Sequence, residues 1–203
     1  MLQIRPVLGP RVRRLVWTFF WLRNVLAGAP LVYACMSTRW EVENEPIVWS
    51  SAVAVCAAGI ALRTWAYRHN SYGQTGERRL ATTGPYAYVR NPLYIGTIFI
   101  LAGAGIASEL LWFVPAIVGW AFFVYGLVGK YEETRLAARY GEPFLLYRER
   151  VPAWIPSFRH VKAEAARATG ALAGLAYREI LQAWVLLPFV AKEMNVLGLG
   201  HAD

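Results

Sequence analysis

Long apolar blocks constrain this chain more than any other feature of its sequence. Four blocks approach the ~20 residues that a membrane-spanning helix needs, and they cover residues 15–36, 47–67, 93–107 and 110–129. Hydrophobic residues make up 57% of the chain and charged residues only 17%, below the ~25% charged residues of an ordinary soluble domain. These blocks predict an all-α fold, a polytopic integral membrane bundle of four to five transmembrane helices.

The segments after the third block suggest how the helices connect. Only Ser108 and Glu109 separate the last two blocks, which predicts a tight helical hairpin. Residues 131–140 then predict a polar extension of the fourth helix that ends at Gly141, and residues 142–150 predict a further short helix. A fifth span over residues 171–191 would bury Arg178 and Glu179, so a re-entrant or surface-lying helix over residues 180–191 is preferred and the fifth span stays open.

We interpret the 203 residues as one membrane-embedded domain. Residues 1–46 form the first span and an outer loop, residues 47–158 a cofactor-binding core, and residues 159–203 an amphipathic or membrane-associated tail. The sequence leaves the oligomeric state open.

Basic residues indicate the orientation of the bundle. The first 14 residues hold four arginines and no acid, residues 68–90 hold four arginines and one acid, and the tail from Lys130 holds ten basic residues. The positive-inside rule then predicts that both termini and the second loop are cytoplasmic, as in a bacterial-type inner membrane. The net charge is +8, but the basic residues flank apolar blocks and form no basic face with interleaved aromatics, so no nucleic-acid partner is predicted. Cys35 and Cys56 have no metal-type spacing, and no metal is predicted.

Polar residues cluster where the chain re-enters the bilayer before the third block. Pro92 suits the first position of a helix, which places Arg90 and Asn91 at a helix start, where free N–H groups favour a carboxylate or phosphate. Gly96 allows a helix or a ligand to approach closely. Taken alone, these residues fit a turn with a snorkelling arginine and interfacial tyrosines slightly better.

Two further polar pairs interrupt the apolar pattern. Glu132 and Glu133 follow the fourth block, where their carboxylates would either bind ribose hydroxyls or an ammonium group, or simply form a solvated face. Arg23 and Asn24 lie inside the first block, where a charged residue is costly and often marks a function. Arg23 is expected to face a lipid headgroup or the helix bundle, or to snorkel to the interface.

An ordered set of short motifs resembles the membrane methyltransferase superfamily, which includes phospholipid N-methyltransferases and isoprenylcysteine carboxyl methyltransferases. The motifs run from residues 91–96 through the hairpin to residues 131–133, and the tail to Pro156 continues them with Tyr147, Val151 and Pro152. Upstream, Gly59, Arg63, Trp65 and Ala66 resemble the preceding helix of the same proteins. Two positions depart from the pattern: Asn91 stands where the isoprenylcysteine branch has histidine, and a Gly-x-Gly motif is half present at residues 57–59.

The resemblance implies S-adenosylmethionine as cofactor and methyl transfer to a lipid-like acceptor, either a phospholipid amine or an isoprenylcysteine-type carboxylate. Arg90 and Asn91 would be catalytic, with Arg90 holding the cofactor carboxylate or a lipid phosphate. The implied cofactor-binding residues are Tyr86, Asn91, Pro92, Tyr94, Gly96, Glu132 and Glu133. His69 would be a candidate base, although a solvated interfacial histidine is the safer interpretation.

Two alternatives stay open on the sequence. A membrane reductase of the sterol-reductase type would use NADPH and bind its 2′-phosphate with basic residues such as Arg78 and Arg79. A non-enzymatic membrane scaffold would use the same motifs only to end and begin helices.

Overall fold

The computed structural model describes residues 10–36, 45–70, 80–158 and 186–193 of the protein. Within these ranges the chain forms helices and turns and no strand, so the all-α prediction is confirmed for them. The helices are α1 (Pro10–Met36), α2 (Glu45–His69), α3 (Pro92–Ala107), α4 (Val114–Tyr140), α5 (Glu142–Arg150) and α6 (Leu187–Glu193). Short 3₁₀ helices at Gly84–Ala87 and Leu111–Phe113 lead into α3 and α4.

Two helical stretches of the described residues are long and apolar enough to cross a membrane, Pro46–His69 and Leu111–Tyr140. Only 22% and 28% of their most apolar windows are buried, whereas the core helix of a soluble protein would be mostly covered. The third block forms α3, whose 16 residues span about 24 Å, short of a ~30 Å hydrocarbon core. The apolar helices support a membrane protein, and the count of four to five spans stays a prediction. Most of the proposed fifth span lies outside the described residues.

Helices α2 and α3 pack closely because small residues line their contact. A Cβ atom on Gly59 would lie 2.6 Å from the carbonyl oxygen of Gly96, and one on Gly103 would lie 2.5 Å from the sulfur of Cys56. Ala52 also faces this contact, its carbonyl 2.8 Å from the same Gly103 position. Backbones approach in this way where small residues remove the side chains between two membrane helices.

Helix α1 packs on α4 through a contact that depends on a proline. Pro30 lies inside α1 and has no N–H, so the carbonyl of Leu26, one turn earlier, loses its helical partner. The indole N–H of Trp120 donates to that carbonyl at 2.7 Å. Ala27 and Leu31 join the buried core around this contact.

The α3–α4 hairpin and the extension of α4 both follow the prediction. Ser108 and Glu109 are buried in the turn, and Glu109 adopts a positive φ of 64°. Helix α4 continues unbroken to Tyr140, and Gly141, at a φ of 61°, begins the turn into α5. Glu132 therefore lies inside a helix, where the terminal dipole does not act on it.

Candidate functional site

The start of α3 places Arg90 and Asn91 against the far end of the chain. The backbone N–H of Arg90 donates to the carbonyl of Pro152 at 2.9 Å, and the side-chain amide of Asn91 donates to the carbonyl of Ala153 at 3.1 Å. Asn91 is the N-cap of α3 but makes no side-chain capping bond. Its side chain thus bonds the returning chain.

Arg90 forms the ion pair of the site. Its guanidinium lies 2.9 Å from a carboxylate oxygen of Glu133 and donates to the carbonyl of Arg148 at 2.8 Å. The side chains are only 14% and 21% exposed for Arg90 and Glu133, so water screens their attraction weakly. The Nε of Arg90 is buried and has no hydrogen-bond partner among the described residues.

Tyr94 connects α3 to the first acid of the pair. Its hydroxyl donates to Glu132 at 2.8 Å, and its ring stacks on Tyr125 with centroids 4.8 Å apart. Both tyrosines are buried, at 8% and 1% exposure. The hydroxyl of Tyr125 in turn donates to the side-chain oxygen of Asn24 at 3.3 Å.

Residues 147–158, here called the covering segment, lie over the turn before α3. The Tyr147 hydroxyl donates to the carbonyl of Tyr86 at 2.8 Å, and the N–H of Ser157 donates to the carbonyl of Tyr88 at 3.0 Å. Burial raises the pKa of both Tyr86 and Tyr147 above the ordinary value of a phenol. Both hydroxyls therefore stay neutral hydrogen-bond donors at physiological pH.

His69 ends α2 beside the same turn. Its Nδ1 lies 3.2 Å from the Thr83 hydroxyl, and its ring fills the space over Gly84, where a Cβ atom would lie 2.3 Å from the imidazole. Gly84 has a φ of 60°, which glycine adopts without strain. The imidazole is half-buried, with one side packed on the turn at Gly84.

The structure brings most of the predicted residues together. Tyr94 and Arg90 meet the two glutamates, and Tyr86 lies near enough to Glu132 for the two groups to interact electrostatically. The guanidinium of Arg90 pairs with Glu133, a partner that the sequence did not indicate, and its role toward a ligand anion stays a prediction. Pro92 is buried and begins α3.

Gly96 does not face the glutamates. A Cβ atom there would lie 2.5 Å from the Cγ of Arg63 and 2.8 Å from the carbonyl oxygen of Gly59. Gly96 therefore serves helix packing, one of the two possibilities that the sequence offered, and its role as a cofactor contact stays a prediction. Arg78 and Arg79, on which the reductase alternative rested, lie outside the described residues.

Several groups of the site had no specific sequence signal. The carbonyls of Arg148, Pro152 and Ala153 accept hydrogen bonds here, and every residue type carries such a carbonyl. Tyr125 lies inside an apolar block, where the sequence does not distinguish it from an ordinary interfacial aromatic residue. The motif tail through Tyr147 was the one signal that pointed to the covering segment.

Comparisons with known proteins match the part of the sequence that holds these residues. The phospholipid methyltransferase family matches residues 47–143. The chain is 29% identical over 134 residues to protein-S-isoprenylcysteine O-methyltransferase of Mus musculus, covering 60% of this chain and 47% of that protein. The protein of the same name in Schizosaccharomyces pombe is 35% identical over 82 residues, 38% of this chain and 33% of its own length. Cobalt-zinc-cadmium resistance protein CzcN of Cupriavidus metallidurans is 37% identical over 78 residues, 38% of this chain and 35% of its own length.

The chain spans about half the length of the isoprenylcysteine O-methyltransferases of Mus musculus and Rattus norvegicus that it matches. No solved structure gives a significant match. The matched segment contains α2, α3 and α4 almost completely, and with them Arg90, Tyr94, Glu132 and Glu133. This segment is thus similar to the phospholipid methyltransferase family and to part of the isoprenylcysteine O-methyltransferases, both of the membrane methyltransferase superfamily.

Proposed function

We propose that this chain catalyses S-adenosylmethionine-dependent methyl transfer to a lipid-like acceptor at the cytoplasmic face of a membrane. The observation that carries the proposal is the pair of contacts from the start of α3 to α4, Tyr94 to Glu132 and Arg90 to Glu133. Both contacts lie within the segment that matches the phospholipid methyltransferase family.

The polar groups at these contacts suit S-adenosylmethionine. Its ribose hydroxyls and ammonium group donate hydrogen bonds, and the carboxylates of Glu132 and Glu133 accept them. Its own carboxylate accepts, and the buried Nε of Arg90, which has no partner among the described residues, is a donor on a group well shaped for carboxylates. We infer that the two glutamates hold the ribose or amino end and that Arg90 holds the carboxylate.

Bound in this way, the cofactor supplies an activated methyl group on a positively charged sulfur, which is transferred by in-line displacement. The task of the protein is then to align the reactants and to exclude water. The covering segment would exclude water, because its bonds to Tyr86, Tyr88 and Asn91 hold it over the start of α3. We expect the remaining polar atom of Asn91, its side-chain oxygen, to face the bound cofactor.

The apolar part of the acceptor would lie along the outer face of α4. Phe123 and Leu127 are 56% and 45% exposed there, within about 14 Å of Glu132 along the helix axis. A lipid tail against these side chains would place its polar head toward the cytoplasmic end of α4. Both acceptor classes suggested by the resemblance, a phospholipid amine and a lipid-linked carboxylate, fit this approach.

Transfer of label from methyl-labelled S-adenosylmethionine to lipid tests the proposal. Detergent-purified protein is incubated with phosphatidylethanolamine or with a prenylated cysteine, and label is counted in the organic phase. We expect label with one acceptor, reduced at least about 100-fold in Glu132→Gln/Glu133→Gln, while Glu149→Gln, which alters an exposed acid on α5, transfers normally. Mild base releases label from a methyl ester but not from a methylamine, which identifies the acceptor class. An unlabelled organic phase with both acceptors would argue against the proposal.

A further inference from the structure

Helix α1 lies outside the segment that matches the phospholipid methyltransferase family, yet it carries two adjacent polar residues, one of which is hydrogen-bonded to α4. Arg23 and Asn24 interrupt an otherwise apolar stretch, and Arg23 is half-buried. An ionisable residue within a membrane helix is costly unless it serves a partner or a site. We therefore looked for the groups of the bundle that these two side chains contact.

Asn24 is the first member of a chain of contacts that ends at the site. It accepts a hydrogen bond from the Tyr125 hydroxyl at 3.3 Å, and the Tyr125 ring stacks on Tyr94 at 4.8 Å with an interplanar angle of 21°. Tyr94 then donates to Glu132 at 2.8 Å. Buried phenols need polar partners, and these contacts give the hydroxyl of each ring one, with Thr97 as a further neighbour of the Tyr125 hydroxyl.

Arg23 supplies charge to the same groups. Its positive charge acts on Glu132 from α1, as does that of Arg135 from α4 itself. It also acts on Tyr94 and Tyr125, the two stacked rings. In a partly buried setting such a charge is screened far less than at a surface, so Arg23 can act on the carboxylate from a neighbouring helix.

We propose that Arg23 and Asn24 of α1 are positioning residues of the cofactor site. Asn24 fixes the Tyr125–Tyr94 stack so that the Tyr94 hydroxyl meets Glu132, and Arg23 keeps a positive charge beside that carboxylate. The inference rests on the proposed function, because it assigns to Glu132 the binding of the cofactor. It adds a helix that the family match does not include.

Two double-mutant cycles on the affinity for S-adenosylhomocysteine, measured by calorimetry in detergent, test this inference. The first combines Arg23→Gln with Glu132→Gln, and the second combines Asn24→Leu with Tyr125→Phe. If Arg23 acts through Glu132, its substitution weakens binding about tenfold in the wild-type background and less than about twofold beside Glu132→Gln. Asn24→Leu likewise weakens binding about fivefold alone and adds little to Tyr125→Phe.

Conservative and matched variants separate positioning from a general loss of structure. Arg23→Lys keeps the charge and is expected to bind within about threefold of the wild type. Arg139→Gln removes a charge from an exposed position on α4 and is expected to leave affinity unchanged. Arg23→Met, an apolar variant suited to a membrane helix, replaces the glutamine variant in the cycle if the latter does not fold.

The outcomes distinguish the inference from the function on which it rests. Unchanged affinity in Arg23→Gln and Asn24→Leu, or the same loss in both backgrounds of each cycle, overturns the inference and leaves the proposed function standing. A wild-type protein that binds no S-adenosylhomocysteine overturns both. Loss confined to the wild-type backgrounds supports the inference.

Discussion

Single side chains decide how α3 and α4 present their acids. Tyr94 gives the Glu132 carboxylate a hydrogen bond, and Arg90 gives Glu133 an ion pair. Both acids are partly buried, so removing a partner leaves a poorly solvated charge, which costs more than the net contribution of the contact itself. The two contacts therefore fix the glutamates at one end of the bundle.

Replacing Tyr94 by phenylalanine tests the first of these contacts. The ring still stacks on Tyr125, but Glu132 loses its 2.8 Å donor. We expect a loss of about 1–3 kcal/mol in the free energy of unfolding and about tenfold weaker binding of S-adenosylhomocysteine, measured by denaturation in detergent and by calorimetry. Tyr33→Phe, which removes an exposed hydroxyl from α1, should change neither quantity. Equal behaviour of the two variants would contradict the role given to Tyr94.

At this scale the sequence identified the participants but not their partners. Glu132, Glu133, Tyr94 and Arg90 were all singled out as ligand-binding groups. Tyr94 and Glu132 stand 38 positions apart, and a contact between side chains on different helices depends on how those helices pack. Sequence spacing alone could not show that Arg90 pairs with Glu133.

Small residues set the distance between α2 and α3. Gly59 and Gly96 meet so closely that a Cβ atom on either would lie under 3 Å from backbone oxygen of the other. This contact sets the position of α3 on α2, and α3 carries Tyr94. The Gly59–Gly96 contact, here called the seam, thus fixes the position of the Tyr94 hydroxyl that binds Glu132.

Gly59→Ala tests the seam. The added methyl group meets the Gly96 carbonyl at 2.6 Å, and backbone yields less readily than a flexible side chain, so we expect a loss of about 1–3 kcal/mol in stability. Gly126→Ala is the matched control, since nothing lies within 4 Å of its Cβ position. It should be neutral or stabilising by up to about 1 kcal/mol. Thermal unfolding in detergent measures both, and equal melting temperatures would count against the seam.

Local signals predicted the elements better than their neighbours. The helix expected over residues 142–150 appears as Glu142–Arg150, and the polar extension of α4 ends at Tyr140 before Gly141, because prolines, glycine and periodicity act locally. The sequence did not decide whether Gly96 contacts another helix or a ligand. The sequence also did not predict the hydrogen bond from Trp120 to the Leu26 carbonyl, because that bond requires both the proline in α1 and the packing of α1 on α4.

At the scale of the whole molecule, the described residues present apolar surface along the long helices and place the polar contacts of the site at one group of elements. The start of α3, Glu132 and Glu133 on α4, α5 and the covering segment share the hydrogen bonds and ion pair of the site. By the positive-inside rule, the basic connections predict that this group faces the cytoplasm and that the α3–α4 turn faces the opposite side.

Cysteine labelling in intact cells tests that orientation. In a background without Cys35 and Cys56, Trp112→Cys in the α3–α4 turn and Ile155→Cys in the covering segment are each treated with a membrane-impermeant maleimide. The two positions are matched in accessibility, at 61% and 79% exposure. We expect labelling of the cysteine at 112 in intact cells and of that at 155 only after permeabilisation. The reverse pattern would invert the orientation.

The central claim is that the acids of α4 form a cofactor site. Its most direct test is calorimetric titration of the purified wild-type protein with S-adenosylhomocysteine. NADPH is titrated separately, and Glu132→Ala/Glu133→Ala and the exposed-acid variant Glu149→Ala are titrated alongside. We predict micromolar binding of S-adenosylhomocysteine, about −8 kcal/mol, which is lost in the double variant and kept in Glu149→Ala, and no binding of NADPH. Binding of NADPH alone, or binding of S-adenosylhomocysteine that survives loss of both glutamates, would contradict it.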